Sequence, residues 1–300
     1  MRKVKLVVTD SNDRLDVYLS NNIEDLSRSK INKLIKNNDI LVNGNNTKAG
    51  YIVKENDVIE ITYEEEVMNA IPEEMDLDIV YEDDDVIVVN KANGIVVHPA
   101  VGNNHGTLVN GLLYHSNNLS SINGCFRPGI VHRIDAYTTG LLMVAKNNLA
   151  HEFLAKQLEE KTTTRIYIAL VWGVINNDTG TIDAPIGRDE KDRKKMAVTD
   201  VNAKTAVTHF KVLERYKEAT LIELKLETGR THQIRVHMNY IGHPVVNDPV
   251  YGRRKIIDES GQCLHAKTLG FVHPTSKKYL EFSSGLPKCF ENILNKFKNA

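Results

Sequence analysis

The stretch VHRIDAYTTGLLMVAK, residues 131–146, places an acid, a turn and a buried strand in succession. Residues 141–145 form a short continuous apolar run, which is typical of a buried strand. The TTG before this run predicts the turn that leads into the strand. Asp135 is therefore expected on a loop at the end of a strand, where a rigid scaffold often carries functional groups. A surface Arg–Asp pair is the structural alternative for this acid.

Further strands surround this stretch and decide the fold class. Residues 85–90, 165–172, 210–213 and 222–226 read as strands, and the last of them alternates apolar with charged residues. Residues 149–160 predict a helix. The apolar stripe of this helix would consist of Leu149, Phe153, Leu154 and Leu158. Many strands with few intervening helices indicate an α+β fold, in which a large domain holds a mixed, mostly antiparallel β-sheet flanked by helices and loops.

Composition and cysteine usage limit the class of protein. Hydrophobic residues make up 41% and charged residues 26% of the 300 residues, as in a soluble globular chain with a substantial core. No apolar run reaches the ~20 residues that span a bilayer, and the first residues turn polar too soon for a secretory signal. Cys125, Cys263 and Cys289 lack CxxC spacing, which favours a cytoplasmic protein without disulfides or a zinc site.

Charge is unevenly distributed along the chain, although the net charge is only −1. Residues 64–89 carry 11 acids and no base, whereas residues 90–300 carry 28 bases and 19 acids. We interpret residues 64–78 as an acidic linker that separates a small domain, residues 1–63, from a large domain, residues 79–300. The basic large domain suits a polyanionic partner such as nucleic acid.

The small domain contains a pattern typical of an amphipathic helix. Ile31, Leu34 and Ile35 fall on one side of it at about 100° per residue. The other side carries the basic residues Arg28, Lys30, Lys33 and Lys36. These charges fit either a solvated surface helix or a helix that docks on RNA phosphates. Along residues 12–63, RLD, SRSKINKLI, ILVNG and DVIEI resemble the small α+β RNA-binding domain named after ribosomal protein S-four, and this resemblance favours RNA binding.

Three polar clusters contain the residues that could carry chemistry: HRID, RIYIALVWG and ETGRTHQIRVHM. In the third cluster, Arg230 follows a strand and precedes a helix, so its guanidinium could pair with Asp135 and keep that carboxylate ionised. An ionised aspartate in a partly closed pocket can act as a nucleophile or as a base. Tyr167 could pack on a nucleobase and relay a proton. Purely structural roles, as an ion pair and a core aromatic residue, also fit this spacing.

The sequence indicates neither a metal site nor a nucleotide cofactor. His232 and His237 are five residues apart, unlike HExxH, in which both ligands share one face of a helix. Neither GxGxxG nor GxxxxGK[ST] occurs in the chain. We therefore expect no metal and no cofactor.

Taken in order, the clusters resemble the RluA/RluD-type pseudouridine synthases, which isomerise uridine in RNA. The resemblance extends over most of residues 79–300 through YEDDDVIVVNKANGIVVHP, RPGIVHRIDAYTTGLLMVAK, RIYIALVWG, LETGRTHQIRVHMNYIGHPVVNDPVYG and LEFSSGLP. It implies that Asp135 is the catalytic aspartate, Tyr167 the active-site tyrosine and Arg230 the basic partner of the aspartate. It further implies a substrate-binding role for His132, Arg133, Thr138, Ile234 and Leu286.

The resemblance also implies a cofactor-free enzyme whose substrate is structured RNA, with large-subunit ribosomal RNA favoured over tRNA. A monomer is the expected state. Asp135 would either attack the anomeric carbon of the ribose or remove a proton from the neighbouring sugar carbon, and the sequence leaves both routes open. Ala136 and Tyr137 replace the charged pair usual after the aspartate, so the RNA contacts beside the target are expected to differ.

Two other classes of protein are alternatives to a pseudouridine synthase. A non-catalytic RNA-binding or ribosome-assembly factor could keep the same scaffold, although the retained Asp135, Tyr167 and Arg230 speak against it. A hydrolase with an aspartate nucleophile, such as a glycosidase, would need a second carboxylate at acid–base spacing. No such carboxylate pairs naturally with Asp135 in the sequence.

Overall fold

The computed structural model describes residues 2–9, 12–23, 26, 28–63, 70–99, 104–124, 127–190, 192, 195–252 and 256–299. Contacts between residues divide the chain into two units, Met1–Val67 and Met68–Ala300, here called the small unit and the large unit. Residues 64–69 of the predicted acidic linker lie outside the described residues.

The small unit consists of an antiparallel sheet and two helices that share one hydrophobic core. Its elements are β1 (Arg2–Val7), α1 (Leu15–Asn22), α2 (Arg28–Lys36), β2 (Ile40–Val42), β3 (Asn45–Asn46) and β4 (Val58–Tyr63), with strand order β1-β4-β2-β3. Ile31, Leu34 and Ile35 of α2 are buried in this core, as the helical spacing predicts. Asn43 and Gly44 join β2 to β3 with φ angles of 53° and 76°, the positive values that a two-residue hairpin turn requires.

The large unit is built on a nine-stranded sheet. Its elements are β5 (Ile79–Glu82), β6 (Val86–Lys91), α3 (Leu108–His115), β7 (Thr139–Ala145), α4 (Asn148–Glu159), β8 (Thr164–Trp172), β9 (Thr179–Asp183), β10 (Ile186–Arg188), β11 (Met196–Val198), β12 (Val207–Arg215), β13 (Ala219–Leu226), α5 (Gln233–Tyr240), β14 (Leu264–Val272), β15 (Tyr279–Ser283) and α6 (Lys288–Lys298). The sheet runs β5-β6-β7-β14-β8-β13-β12-β9, with β15 paired to β14, while β10 and β11 form a separate hairpin. Only the β7–β14 pair is parallel among the described strands, so the predicted α+β class with a mixed, mostly antiparallel sheet is confirmed.

Strand β7 lies in the middle of this sheet and is buried along its whole length. It pairs with β6 on one side and with the start of β14 on the other, where Thr139 faces His265 and Gly140 faces Ala266. Gly140 has a φ of 110°, and a Cβ at this position would collide with the Ala266 backbone. Only glycine allows the two backbones to approach so closely, and the contact holds the loop before β7 against the start of β14.

Helix α4 differs in part from its prediction. Asn147 caps the helix by accepting a hydrogen bond from the Ala150 backbone N–H at 2.9 Å. With this start, Leu154 is buried but Leu149 is 80% exposed, so the predicted apolar stripe was wrong at Leu149. The polar Gln157 of the same helix is buried. Its side chain is satisfied there, because it accepts from the Val272 N–H and donates to the Val272 carbonyl.

Residues 70–78, the described part of the predicted linker, lie against α3. The Asn110 amide of α3 donates to the Ile71 carbonyl at 2.7 Å, and the Glu73 N–H donates to the Asn110 carbonyl at 3.0 Å. These residues therefore belong structurally to the large unit. No helix in the described ranges is both long and apolar enough to cross a bilayer.

Candidate active site

A cavity of about 560 Å³ opens in the large unit beside Asp135. It brings together seven of the predicted site residues: His132, Arg133, Asp135, Thr138, Tyr167, Arg230 and Ile234. Leu286 is not among its lining residues. That leucine packs against the hydrophobic core and lines a separate cavity with Thr139 and His265, so the structure does not bring it to the Asp135 cavity.

Local hydrogen bonds hold the loop that carries Asp135. The Thr138 backbone N–H donates to the Asp135 carbonyl at 3.0 Å, which closes a tight turn. Gln262 fixes the other side of this turn, because its side-chain amide donates to the Thr138 hydroxyl at 3.0 Å. The Asp135 side chain is 17% exposed and reaches into the cavity.

Lys91 anchors the same loop from beneath, and the sequence interpretation missed it. It is 1% exposed, and its ammonium donates to the carbonyls of Ala92, Ile95 and Ala136 at 2.9, 2.9 and 2.8 Å. Three acceptors match the three N–H donors of a protonated lysine. Burial lowers the pKa of Lys91 to about 7, and the nearby Asp135 charge opposes this shift.

The basic partner of Asp135 is Arg235, which corrects the predicted pairing with Arg230. Arg235 Nη1 donates to Asp135 Oδ2 at 2.8 Å. Its Nε and Nη2 donate to the two carboxylate oxygens of Asp248 at 2.7 and 2.9 Å. The Arg230 guanidinium instead donates from Nε to the Thr205 carbonyl at 2.9 Å, although it still lines the cavity.

The helix start explains why Arg235 replaces Arg230. Gln233 begins α5 and joins the preceding loop to β12, since its Oε1 accepts from the Arg230 N–H and its Nε2 donates to the Val207 carbonyl. Arg230 therefore lies in the loop, whereas Arg235 lies within the buried helix. A charged residue between Ile234 and Val236 was the signal in the sequence, because an arginine on the apolar side of a helix is rarely buried without a partner.

The two carboxylates keep Arg235 charged. Hydrogen bonds and charge from Asp248, with a smaller contribution from Asp135, raise the pKa of Arg235 despite its burial. Arg235 in turn holds the pKa of Asp248 below its usual range, helped by the N–H groups of Val250 and Tyr251. One guanidinium thus bridges a fully buried structural acid and an acid at the cavity surface.

His232 faces the second oxygen of Asp135. The Met196 N–H donates to the Tyr251 hydroxyl at 2.9 Å, and that hydroxyl lies 2.8 Å from His232 Nδ1. That hydroxyl can donate its own hydrogen to Nδ1, an arrangement that fits a ring protonated on Nε2. Burial lowers the pKa of His232, so the ring is neutral, and its Nε2 is 3.8 Å from Asp135 Oδ1. Neither His232 nor Tyr251 was assigned a role from sequence.

Tyr167 forms another wall of the cavity. It lies on β8 between β13 and β14, where it pairs with Leu224 and Ala266. Burial raises the pKa of Tyr167, and Asp135 adds to this shift while Arg165 opposes it. The phenol is therefore protonated at neutral pH. Its hydroxyl makes no hydrogen bond within the described part of the chain and is available to a bound ligand.

His132 lines the cavity as a neutral ring. Its Nε2 accepts a hydrogen bond from the Met143 N–H at 3.1 Å. Burial, with a contribution from the Arg165 charge, lowers the pKa of His132 to about 3. Arg133, the next residue, is exposed and makes no ion pair with the described residues. Its charge can therefore meet a phosphate.

The predicted basic residues of α2 differ in their surroundings. Arg28 Nη2 donates to the buried Asp16 carboxylate at 2.7 Å, yet 57% of the Arg28 side chain remains exposed. Lys30 lies 5.7 Å from the centre of the Tyr63 ring. Lys33 and Lys36 are exposed on the outer side of α2.

The described residues contain no group of three or more His, Cys, Asp or Glu side chains arranged to hold a metal ion. The ionisable groups that line the cavity include Asp135, Glu159, a phenol, imidazoles and guanidinium ions. This set can supply a nucleophile or base, hydrogen-bond donors, and positive charge for phosphate or for a developing anion.

Comparison with known proteins agrees with this chemistry. The family model described as RNA pseudouridylate synthase matches residues 85–240, and the S4 domain model matches residues 13–59. The "Uncharacterized RNA pseudouridine synthase YlyB" of Bacillus subtilis is 54% identical over 287 residues, which cover 95% of this chain and 94% of the relative. The "Ribosomal large subunit pseudouridine synthase D" of Neisseria meningitidis serogroup B is 45% identical, over 94% of this chain and 78% of the relative.

A solved structure gives the same assignment for the fold. "Human RNA Pseudouridylate Synthase Domain Containing 1" superposes with a TM-score of 0.58 at 27% identity and covers 75% of this chain and 96% of its own. The family model spans more than half of this chain, and close relatives cover nearly all of it. The chain therefore belongs to the RNA pseudouridylate synthase family, enzymes that isomerise uridine in RNA, and carries an S4 domain ahead of the synthase domain.

Proposed function

We propose that this enzyme isomerises specific uridines in large-subunit ribosomal RNA and that Asp135 is its catalytic aspartate. The observation that carries this proposal is the asymmetric support of the Asp135 carboxylate in the cavity. Its Oδ2 is held by Arg235 at 2.8 Å, whereas its Oδ1 has the neutral His232 ring at 3.8 Å. One oxygen is thus fixed, and the other remains available for reaction with a ribose.

The reaction needs only the groups that line the cavity. The C1′–N1 bond of uridine breaks, the uracil turns, and a C1′–C5 bond forms; C5 loses a proton and N1 gains one, so that the overall change is an isomerisation. Asp135 either attacks C1′ and is later displaced, or removes a proton from C2′ to give a glycal. Both routes use the Asp135 carboxylate, and the Arg235 bridge to Asp248 places a positive charge 2.8 Å from its Oδ2.

The substrate uridine must leave its base stack to reach Asp135. Flipping costs a few kcal/mol, which contact between the base and an aromatic ring can partly offset. Tyr167 offers this ring and a protonated hydroxyl. We further propose that the exposed Arg133 contacts the phosphate beside the flipped nucleotide, and that His132, Thr138 and Ile234 shape the space for the ribose and base. Arg230, on the cavity rim, would contact RNA and not the carboxylate.

The choice of ribosomal RNA rests on the relatives and on the small unit. Relatives at 43–46% identity from Neisseria and Pseudomonas are named ribosomal large subunit pseudouridine synthase D. We propose that α2 binds RNA backbone through Arg28, Lys30, Lys33 and Lys36. Transfer RNA is the second candidate, and we expect the enzyme to act as a monomer.

Pseudouridine mapping of ribosomal and transfer RNA tests this proposal. Cells lacking the protein are complemented with the wild type, with Asp135→Asn, or with Asp76→Asn, a matched change at an exposed acid outside the cavity. We expect one or more large-subunit sites to lose pseudouridine, and to regain it with the wild type and Asp76→Asn only. Loss of tRNA sites alone would refute the ribosomal target. No changed site would favour an RNA-binding factor without activity.

A further inference from the structure

Arg165 is a buried charge that the proposed reaction has not yet used. It lies on β8, two residues before Tyr167, and both side chains line the Asp135 cavity. Only 7% of Arg165 is exposed. Alternation along a strand puts residues i and i+2 on the same face, about 7 Å apart. Arg165 and Tyr167 therefore form neighbouring parts of one wall.

The Arg165 guanidinium is poorly satisfied by the protein itself. Its Nη2 makes one long hydrogen bond, 3.4 Å, to the Glu227 carbonyl, and its buried Nε has no hydrogen-bond partner. No carboxylate within the described ranges lies at ion-pair distance from it. The carboxylate of Glu227, whose carbonyl accepts this long bond, is engaged by Lys161 and His209. An uncompensated buried cation costs several kcal/mol, so a cation kept in this state suggests an anionic ligand.

The Arg165 guanidinium lies close to the backbone of Gly229, where there is no room for a side chain. A Cβ on Gly229 would come within 2.9 Å of Arg165 Nη1, so any larger residue would displace the charged group. Arg235, in contrast, is fully occupied by Asp135 and Asp248. Of the two buried arginines that line the cavity, Arg235 is thus bound to Asp135, whereas Arg165 has no carboxylate partner among the described residues.

The placement of Arg165 indicates which part of the nucleotide it meets. Asp135 must lie at the ribose, because both proposed routes begin at C1′ or C2′. Tyr167 lies near both charged groups: Arg165 lowers the pKa of Tyr167 and Asp135 raises it. A base that extends from a ribose at Asp135 across Tyr167 would present its carbonyl edge to Arg165.

We propose that Arg165 stabilises the uracil anion that forms when the glycosidic bond breaks. This inference rests on the proposed function of the Asp135 cavity. When the C1′–N1 bond breaks, its electron pair stays on the uracil and spreads to the carbonyl oxygens. In one route the Asp135 carboxylate forms a bond to C1′ of the ribose. In the other route it removes the proton from C2′. The Arg165 N–H groups donate to the charged carbonyl until C5 forms the new bond to C1′; C5 then loses its proton and N1 gains one.

Substrates with different leaving groups test this role directly. Arg165→Met keeps the volume and removes the charge, and Lys225→Met removes an exposed charge as a control. Single-turnover loss of the target nucleoside is followed by nuclease digestion and chromatography, for RNA carrying uridine or 5-fluorouridine. Fluorine stabilises the departing anion, so it reduces the need for Arg165.

We expect Arg165→Met to slow uridine consumption by about 10²–10³-fold, as for a lost donor to a developing oxyanion, with the RNA Kd nearly unchanged. With 5-fluorouridine the loss should be at least ~10-fold smaller. Arg165→Lys should recover part of the rate, because it restores the charge. Equal losses for the two nucleosides, or a loss confined to the RNA Kd, would overturn the proposal.

Gly229→Ala provides a second approach in which Arg165 itself remains. The added methyl should displace the end of the flexible Arg165 side chain, while the backbone conformation of Gly229 accepts alanine. We expect a slower rate with uridine, again partly relieved by 5-fluorouridine. In the Arg165→Met background, Gly229→Ala should slow uridine consumption little further. Losses of rate that add in the double variant would contradict the proposal. Because the wild type and Asp135→Asn are measured alongside, failure of Arg165 is distinguishable from failure of the proposed function.

Discussion

The cations of the Asp135 cavity and those of α2 carry the same charge in opposite settings. Arg235 is 5% exposed, and three of its N–H groups bind two carboxylates. Lys33 and Lys36 are exposed and make no ion pair within the described ranges. A buried, fully bonded charge sets the position of a reacting group, whereas an exposed charge adds attraction that salt screens.

This contrast predicts two kinds of mutational effect. Substitutions at Arg235 and Lys91 should lower stability and the rate of the chemical step, because each leaves buried partners unsatisfied. Substitutions at the exposed cations should weaken RNA binding in a salt-dependent way and leave the chemical step unchanged.

Arg235→Met should have the largest effect. It leaves the buried Asp248 without its bidentate partner and Asp135 without its support, which should lower the free energy of unfolding by ~3–5 kcal/mol. Denaturant titration measures this loss. Arg235→Lys retains the charge but not the forked geometry. Its free energy of unfolding should lie between those of the wild type and Arg235→Met. An unfolding free energy for Arg235→Met within 1 kcal/mol of wild type would show that the bridge is not structural.

Lys91→Met should have the next largest effect. The carbonyls of Ala92, Ile95 and Ala136 lose their donor, and the loop that carries Asp135 loosens. We expect a cost of about 3 kcal/mol in the free energy of unfolding, since one unsatisfied buried acceptor already costs ~1–3 kcal/mol. At a temperature where the variant is folded, kcat should fall more than KM rises. A change in KM alone would argue against loop positioning.

The double variant Lys33→Gln/Lys36→Gln should leave kcat unchanged and weaken RNA binding several-fold at low salt. If both lysines contact phosphates, the slope of log K against log salt should become shallower by about 1–2. Filter binding over a range of salt concentrations measures this slope. Lys225→Gln, an exposed change on β13 in the large unit, serves as the control. An unchanged slope would remove α2 from the RNA interface.

The two regions should also lose stability in different pH windows. The pKa of His132 is lowered to about 3, so its contribution is complete above pH 6.5 and is lost as the pH falls from there towards 3. The pKa of Asp16 is lowered to about 2 by Arg28, so its contribution persists to about pH 4 and is lost below it. The protection factors for hydrogen exchange, which correct for the intrinsic pH dependence of exchange, should therefore fall at β7 first on acidification. A fall at α2 alone above pH 4 would contradict this order.

Sequence reasoning predicted those features that depend on local patterns. The apolar run of β7, the buried side of α2 and the mixed, mostly antiparallel sheet all follow from periodicity and turn residues, and the structure has them. Family resemblance indicated Asp135 and Tyr167, which the structure brings into one cavity.

The support of Asp135 could not be predicted in the same way, because it depends on contacts far apart in sequence. Arg235 is 100 residues from Asp135, and the ammonium of Lys91 is bound to a carbonyl 45 residues away. Choosing Arg235 over Arg230 required the phase of α5, which Gln233 sets through hydrogen bonds to β12. Leu286 shares a family motif but packs on a different wall.

Tritium release from RNA labelled at uridine C5 is the most direct measurement of the central claim. Under single-turnover conditions with saturating RNA, Asp135→Asn should release tritium at least ~10³-fold more slowly than wild type, while its RNA Kd and unfolding transition stay close to wild type. Asp76→Asn should release tritium at the wild-type rate. Release by Asp135→Asn within a few-fold of wild type would contradict the assignment of Asp135 as the catalytic aspartate.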